Sequence, residues 1–156
     1  MSEFMRLCLV EAARAIREGC APYPGVGVIL EYQGLPLIRA HNGQPGQPHA
    51  EIKALDEAQT KNLDLTKCVL HTNLEPCCNR AGLVHACTAE IIRHKIPEVH
   101  IALADPYHLV KGKGIEELRA AGIKVVLGEM ADQARWQNRE YFRRYCPNCG
   151  WEIDEQ

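Results

Sequence analysis

The pattern of apolar and polar positions alternates between two periods along the chain, one typical of helices and one typical of strands. A broad apolar stripe follows Ser2, which can cap a first helix that ends at Gly19. Two strand-like runs follow, Gly25–Tyr32 and Leu35–His41, with Gln33–Gly34 between them. Runs of this kind around a short glycine-containing turn predict a β-hairpin.

The rest of the chain predicts helices and strands in alternation. In chain order these are a helix from His49, a strand at Lys67–Leu74, a helix at Cys87–Lys95, a strand at Val99–Ala104, a helix at Ile115–Ala121, a strand at Lys124–Leu127 and a helix at Met130–Arg144. Because the strands alternate with helices after an opening hairpin, we expect an α/β fold with a mixed sheet of five strands between helical layers. Pro36 predicts that the second hairpin strand lies at the edge of the sheet.

Composition narrows the class of protein. The chain has 156 residues, which suits one domain, and a formal net charge of −2, which gives no basic surplus for a dedicated nucleic-acid binder. No apolar run approaches the roughly 20 residues that cross a bilayer, and the charged N-terminus is not typical of a secretory signal. Eight cysteines in such a chain indicate thiols and metal ligands. We therefore expect a cytoplasmic protein with no membrane partner.

The candidate chemistry lies in a His-Ala-Glu triplet that precedes a cluster of cysteines. Zinc in catalytic sites has three protein ligands and one open position, and His49 with two cysteines from Leu74–Cys87 would supply that set. A zinc ion there would give hydroxide near neutral pH, and Glu51, at the start of the same helix, would pass a proton to a leaving amine. The HxE…PC…C order is the signature of zinc deaminases.

Two cysteines compete for one ligand position. Cys87 supplies one thiolate, and either Cys77 or Cys78 supplies the other. Pro76 sets the direction of the chain as it leaves the strand, and the residue directly after the proline is the usual ligand, which favours Cys77. The spacing from Cys78 to Cys87 is the more familiar one and favours the alternative. A closed structural site would need a fourth ligand from Cys78 or His85, and such a site has no use for the glutamate.

Four stretches resemble the deaminase domain of the riboflavin-biosynthesis bifunctional deaminase/reductase family, within the cytidine-deaminase-like superfamily. They are PYPGVGVIL, GQPHAEIKAL, TNLEPCC and ALADPYHLVKGKGIEELRAAGIKV, and the resemblance extends from Met5 to Phe142. The tRNA adenosine deaminases share the LEPC stretch, but they place their second cysteine where this chain has Arg80.

The resemblance implies a fold, a reaction and a set of site residues. The implied fold is a three-layer α/β/α sandwich, cytidine-deaminase-like, and the implied reaction is the hydrolytic removal of an amine from a pyrimidine-like ring by a homodimer or higher homo-oligomer. The zinc ligands of the family correspond to His49, Cys77 and Cys87, and its proton shuttle corresponds to Glu51. The family has eight residues between its cysteines where this chain has nine, which places an insertion near Cys78.

Several positions that read the substrate depart from the family pattern. Tyr23 and Tyr107 replace asparagines, Leu83 replaces a basic residue, and His41 corresponds to a histidine that contacts the substrate in the family. We expect Tyr23, His41 and Tyr107 to bind the substrate. Tyrosines favour a ring held by stacking, so a small or unphosphorylated amino-heterocycle is predicted over the riboflavin-pathway intermediate.

The prediction is thus a zinc-dependent hydrolytic deaminase of a pyrimidine-like base, nucleoside or nucleotide. Three alternatives stay open: the riboflavin-pathway diaminohydroxyphosphoribosylaminopyrimidine deaminase itself, a deaminase of bases in nucleic acid, and a non-catalytic binding subunit stabilised by zinc. We expect the deaminase domain at residues 1–145 and a CxxC tail at 146–156. The tail pair Cys146 and Cys149 resembles half of a zinc ribbon, and an exposed thiol pair is favoured there over a second zinc site.

Overall fold

The computed structural model describes residues 2–78, 86–107 and 111–146. The elements in these ranges are α1 Ser2–Arg17, β1 Gly27–Tyr32, β2 Leu35–His41, α2 Ala50–Thr60, a 3₁₀ turn at Leu65–Lys67, β3 Cys68–Leu74, α3 Cys87–Arg93, β4 Glu98–Leu103, α4 Lys113–Ala120, β5 Lys124–Leu127, α5 Ala131–Gln137 and α6 Arg139–Tyr145. The predicted succession of helices and strands is confirmed up to the last predicted helix. Among the described helices, none is both long and apolar enough to cross a bilayer.

The five strands form one mixed sheet in the order β2-β1-β3-β4-β5. β1 runs antiparallel to β2 and β3, whereas β3, β4 and β5 are parallel to one another. The β1–β2 hairpin turns at Gln33 and Gly34, whose φ angles of 53° and 78° are those that a tight two-residue hairpin turn requires. β2 lies at the edge of the sheet, where Pro36 is tolerated, as predicted.

Helices cover both faces of the sheet and bury two hydrophobic cores. α2, α3 and α4 pack on one face, and α1, α5 and α6 pack on the other. Successive residues of β1 serve the two cores in turn, because Val28 and Leu30 belong to the first core and Ile29 to the second. A Cβ atom at Gly27 would clash with the carbonyl oxygen of Cys8, so glycine lets α1 lie directly against β1. The predicted three-layer α/β/α sandwich is confirmed.

The prediction of one continuous last helix at Met130–Arg144 is wrong. Met130 adopts a left-handed conformation with φ 55° and precedes α5. A turn at Asn138 then separates α5 from α6. The physical reason is that the Asn138 side chain is buried and bonds the backbone of Gly25, so tertiary contacts determine the chain direction at this point.

One edge of the sheet brings several chain segments together. The carboxyl ends of β3 and β4 lie there beside the amino end of β1, because β1 is antiparallel to β3. α2 follows the β1–β2 hairpin, and α3 follows β3. Crevices outside the carboxyl ends of parallel strands are the usual ligand sites of α/β sheets. The predicted zinc ligands and Glu51 all lie in the segments that meet at this edge.

Candidate active site

Three predicted ligand side chains converge at the starts of two helices. His49 directly precedes α2, Cys77 follows Pro76 after β3, and Cys87 is the first residue of α3. His49 Nδ1 lies 3.6 Å from the Cys77 sulfur and 3.4 Å from the Cys87 sulfur. One potential ligand atom from each of the three residues lies within 4.8 Å of the other two, so together they could hold a metal ion.

The two cysteines that are candidates for the same ligand position lie in different surroundings. In the described ranges, the group that could hold a metal consists of His49, Cys77 and Cys87. Cys78 is not part of this group, and it is buried. The backbone of Cys77 is anchored, because its carbonyl oxygen accepts a hydrogen bond of 3.1 Å from the Thr88 N–H on α3. His85, a candidate for a fourth ligand, and Leu83 lie outside the described residues.

The two thiols of the group titrate differently. The pKa of Cys77 falls to about 4, because the Cys87 side chain donates to its sulfur and His49 lies nearby. The Cys87 backbone N–H also donates to the Cys77 sulfur at 3.2 Å. The pKa of the Cys87 thiol is raised by its hydrogen bond to Cys77 and by burial. The pKa of His49 is raised, chiefly by its hydrogen bond with Cys77. The group therefore holds a thiolate near neutral pH, and a thiolate is the form of cysteine that binds metals.

Glu51 lies in the first turn of α2 and is buried beside the metal-binding group. Its Oε2 atom accepts from the Cys87 sulfur at 3.6 Å. Burial raises the pKa of Glu51 to about 7, and the negative charge of Cys77 adds to the effect. A carboxyl group that exchanges its proton near neutral pH suits general acid–base chemistry.

A cavity of about 560 Å³ opens onto this group. The volume falls within the range of small-molecule sites. Its lining is Tyr23, Pro24, Val26, Asn42, Gly43, Gln44, Pro45, Gly46, Gln47, His49, Ala50, Glu51, Leu74, Glu75, Cys77, Asp105, Tyr107, Tyr141 and Tyr145. The structure thus brings Tyr23 and Tyr107 to the same cavity as His49, Glu51 and Cys77.

His41 is not brought to this cavity. Its two ring nitrogens lie 2.8 Å from carboxylate oxygens of Glu11 and Glu18, which both belong to the α1 side of the sheet. His41 is absent from the cavity lining. Its predicted contact with the substrate stays a prediction, and no contact in the described part of the chain supports it.

Glu75 is a site residue that the sequence patterns did not single out. Glu75 lies between the end of β3 and Pro76, and it is buried and lines the cavity. Its carboxylate accepts backbone N–H groups of Asp105 at 2.8 Å, Gly112 at 3.0 Å and Ile115 at 3.2 Å. Glu75 therefore ties the segment after β4, which carries Tyr107, to the start of α4. A carboxylate between a buried strand and a Pro-Cys pair was the available signal.

Three buried or half-buried asparagines hold the segment that carries Tyr23. The backbone N–H groups of residues 25, 26 and 27 donate in that order to the side-chain oxygens of Asn138, Asn42 and Asn73, at 2.8, 2.7 and 2.8 Å. Only Asn42 touches the cavity itself. Asn138 and Asn73 do not line the cavity, but they bond the backbone of the segment that forms its wall. No local motif marks these two residues in the sequence.

Replacing Asn138 with alanine is expected to lower the free energy of unfolding by about 1–3 kcal/mol. The change removes two hydrogen bonds of 2.8 Å to Gly25 and leaves a buried backbone N–H without this acceptor. Urea unfolding of the purified variant measures the effect. Gln59→Ala, on the exposed side of α2, is the control and should stay within about 0.5 kcal/mol of the wild type. Equal stability of both variants would show that the Asn138 bonds contribute no net free energy.

Comparisons with known proteins agree with this geometry. The family model described as the cytidine and deoxycytidylate deaminase zinc-binding region matches residues 1–103. The riboflavin biosynthesis protein RibD of Aquifex aeolicus is 38% identical over 140 residues, which cover 89% of this chain and 38% of that protein. The diaminohydroxyphosphoribosylaminopyrimidine deaminase of Buchnera aphidicola subsp. Schizaphis graminum is 34% identical over 124 residues, which cover 80% of this chain and 82% of the relative.

Solved structures show the same relationship. The crystal structure of a diaminohydroxyphosphoribosylaminopyrimidine deaminase/5-amino-6-(5-phosphoribosylamino)uracil reductase from Thermotoga maritima matches with a TM-score of 0.83 and 29% identity, over 91% of this chain and 40% of that one. The chain spans about a third of the length of the riboflavin biosynthesis proteins that it matches.

The fold is that of the zinc-binding deaminases. The chain belongs to the cytidine and deoxycytidylate deaminase zinc-binding family, because the family model matches about two thirds of it. The resemblance to the deaminase domain of riboflavin-biosynthesis enzymes is confirmed by the relatives and by the solved structures. The predicted membership of a zinc-binding deaminase family is likewise confirmed, and the described part of the chain contains a group that could hold a metal ion.

Proposed function

We propose that this chain hydrolytically deaminates a small amino-heterocycle with a pyrimidine-like ring. In this proposal His49, Cys77 and Cys87 hold one zinc ion, and Glu51 moves the protons. The observation that carries the proposal is the buried carboxyl group of Glu51, which lines the same cavity as His49 and Cys77 and contacts the Cys87 sulfur.

The chemistry of the donor set fits zinc. One imidazole nitrogen and two sulfurs form the group, and these are ligands that zinc prefers. Three protein ligands leave a fourth position, and His49 and Cys77 face the cavity from which a substrate would approach. A zinc ion held there supplies Lewis acidity, which makes a water ionisable near neutral pH.

Glu51 has the position for two proton transfers. As a base it takes a proton from the attacking water, whose oxygen then bonds to the ring carbon that carries the amine. As an acid it returns that proton to the amine nitrogen when the carbon–nitrogen bond breaks, so that ammonia leaves. The proton of the new hydroxyl group moves to the ring nitrogen, and a ring carbonyl remains. Burial of Glu51 keeps bulk water from this proton, and the start of α2 holds the carboxyl group in place.

The substrate class follows from the walls of the cavity. Tyr23 and Tyr107 present aromatic rings and single hydroxyl groups, so they suit a flat ring held by stacking. Asn42 also lines the cavity, but its side-chain amide donates to the Pro24 carbonyl and its oxygen accepts from the Val26 N–H. Asn42 therefore shapes the wall through the backbone, and the tyrosines are left to contact the ring.

The riboflavin-pathway deaminase is a second candidate, favoured by the names of the relatives. The Buchnera relative, of which the match covers 82%, is a diaminohydroxyphosphoribosylaminopyrimidine deaminase. The family match and the relatives favour neither a deaminase of nucleic-acid bases nor a non-catalytic zinc subunit. The riboflavin-pathway substrate carries a ribosyl phosphate, which the unphosphorylated bases and nucleosides favoured by the first candidate lack.

Ammonia release from a panel of aminopyrimidines tests the proposal and separates the candidates. The panel is cytosine, cytidine, deoxycytidylate and the phosphorylated riboflavin-pathway intermediate, each assayed with zinc-loaded protein. We expect the phosphorylated intermediate to have a kcat/KM about tenfold or more below that of the best unphosphorylated compound, because Tyr23 and Tyr107 replace polar amide contacts by stacking. Efficient turnover of the intermediate would show that the tyrosines are neutral replacements, and no ammonia from any compound would reject the deaminase proposal.

The remaining predictions belong to the same proposal. The deaminase domain at 1–145 is supported by the end of α6 at Tyr145. In the tail, Cys146 is disulfide-bonded, so the prediction of an exposed pair of free thiols is wrong, and residues 147–156 lie outside the described residues. A cytoplasmic location is supported by free thiols at Cys77 and Cys87, which zinc binding requires. A homo-oligomer is supported by large apolar side chains exposed on α1 and β2, namely Val10, Ile16, Leu35 and Leu37.

A further inference from the structure

The last helix, α6, brings two tyrosines into the cavity, and the proposed deaminase reaction gives neither tyrosine a role. Tyr141 and Tyr145 lie four residues apart on α6, so both side chains point from the same side of the helix. Both line the cavity that also contains His49 and Glu51. From the sequence alone they are most simply core or subunit contacts.

Tyr145 lies between two other aromatic rings. Its ring centroid is 5.3 Å from that of Tyr107, at an interplanar angle of 67°, and 4.9 Å from that of Tyr141, at 57°. Both separations fall within the range of favourable aromatic pairs. The residue is nevertheless 38% exposed, so a substantial part of it remains uncovered by protein. We call Tyr107, Tyr141 and Tyr145 the aromatic wall.

A carboxylate anchors the aromatic wall. Asp105, which follows β4, accepts the Tyr107 backbone N–H at 2.8 Å and the Tyr141 hydroxyl at 3.3 Å, both on Oδ1. Asp105 is itself held, because its backbone N–H donates to Glu75 at 2.8 Å. The aromatic wall is therefore connected through Glu75 to the segment that carries Cys77.

A second anchor fixes the start of the helix. Asn138 precedes α6, and its side chain makes two hydrogen bonds of 2.8 Å with the backbone of Gly25. Gly25 lies two residues after Tyr23, which also lines the cavity. α6 is thus bonded to the segments that carry Tyr23 and Tyr107, so a ligand would meet rings that are already in place.

We propose that the aromatic wall is a stacking surface for a planar pyrimidine-type ring and that Tyr145 is its specificity-determining residue. The proposal deepens the proposed function, on which it rests for the choice of ligand. Rings stack on aromatic side chains through their faces, so a flat ring should be preferred to a puckered one of the same size and polarity. Tyr145 contributes this preference because it contacts both other rings of the wall and remains partly uncovered.

Equilibrium binding of two small probes tests the proposal without turnover. Uracil is planar, whereas 5,6-dihydrouracil has the same polar edges and a puckered ring. We expect the zinc-loaded wild type to bind uracil more tightly than 5,6-dihydrouracil in calorimetric titrations. Tyr145→Leu should weaken uracil binding by about 5- to 150-fold, the effect of removing one stacked ring, and should change 5,6-dihydrouracil binding by about twofold or less.

Matched variants separate stacking from structure. Tyr145→Phe keeps the ring and should keep the preference for uracil. Trp136→Ala removes an exposed aromatic residue of α5 that is absent from the cavity lining, and it should leave the preference unchanged. If Tyr145→Leu melts well below the wild type, Tyr145→Met offers a second non-aromatic side chain for the same titration.

The outcomes distinguish this proposal from the deaminase proposal. If Tyr145→Leu or Tyr145→Met still binds uracil more tightly than 5,6-dihydrouracil, the proposal that the aromatic wall stacks on the ring is overturned. This holds even if the protein releases ammonia from the panel. Failure of the wild type to bind uracil, or equal binding of the two probes, would also overturn it. Loss of the preference in the non-aromatic variants alone would support the wall even if no panel compound were deaminated.

Discussion

Glu51→Gln is expected to lower kcat by about 10²- to 10⁴-fold while the protein still binds one zinc ion per chain. Glutamine has nearly the same shape as the buried glutamate, so α2 and the ligand group should be preserved. It cannot take a proton from water or return one to the leaving amine, which are the two transfers assigned to this residue. The measurements are steady-state ammonia release with the best aminopyrimidine of the panel and the zinc content of the purified variant.

A glutamate on the same helix provides the control. Glu57 lies one and a half turns further along α2, where its exposed carboxylate pairs with Lys61 at 2.8 Å. Glu57→Gln should keep kcat within about twofold of the wild type, because surface substitutions of this kind perturb the structure little. Turnover within tenfold of the wild type in Glu51→Gln would reject the proton-transfer role, whereas loss of zinc in that variant would show that Glu51 maintains the metal site itself.

Cys77→Ala is expected to abolish zinc binding, and Cys78→Ala is expected to retain it. The Cys77 sulfur lies 3.6 Å from His49 Nδ1 and accepts the backbone N–H of Cys87, so its removal deletes one of the three proposed ligands. Loss of an outer contact to a zinc ligand already costs about 10- to 100-fold in affinity, and loss of a ligand should exceed that. Competition with a chromophoric chelator measures the affinity, and elemental analysis measures the zinc content.

The two cysteine variants serve as controls for one another, because they change neighbouring residues in the same way. Cys78 is buried, so Cys78→Ala should lower the melting temperature modestly while zinc content stays near one per chain. The opposite result, with zinc lost only from Cys78→Ala, would assign the ligand to Cys78 and would reject the grouping of Cys77 with His49 and Cys87. Zinc lost from both variants would indicate that the segment after Pro76 must be intact before any ligand set forms.

Local patterns in the sequence were sufficient for most of the helices and strands and for most of the residues of the predicted metal site. The Gln33–Gly34 turn and the edge position of Pro36 were predicted because turn chemistry and the missing proline N–H act locally. His49 and Glu51 were predicted together because their spacing places both at one helix start. Such features depend on residues near in sequence, and the sequence displays them directly.

Which of Cys77 and Cys78 lies near His49 depended on tertiary structure. Both cysteines follow Pro76, and the position directly after the proline favoured Cys77, whereas the spacing to Cys87 favoured Cys78. Only the packing of α3 against the chain after β3 shows which sulfur faces His49. A shift of one residue in an extended segment turns a side chain to the other face, so neighbouring residues of the same type cannot be told apart by spacing alone.

The fold and the cavity likewise combine features that the sequence determines with features that only tertiary packing determines. The sequence by itself determined the α/β fold, the hairpin, the zinc-deaminase signature and two of the tyrosines, because each is marked by a local motif or by a resemblance along the chain. Tertiary structure alone decided that the last predicted helix turns at Asn138, that Tyr141 and Tyr145 reach the cavity, and that His41 pairs with Glu11 and Glu18 instead. The physical reason is that these contacts join residues from about 20 to more than 100 positions apart, and the free energy of such contacts depends on how the elements pack, which no local pattern encodes.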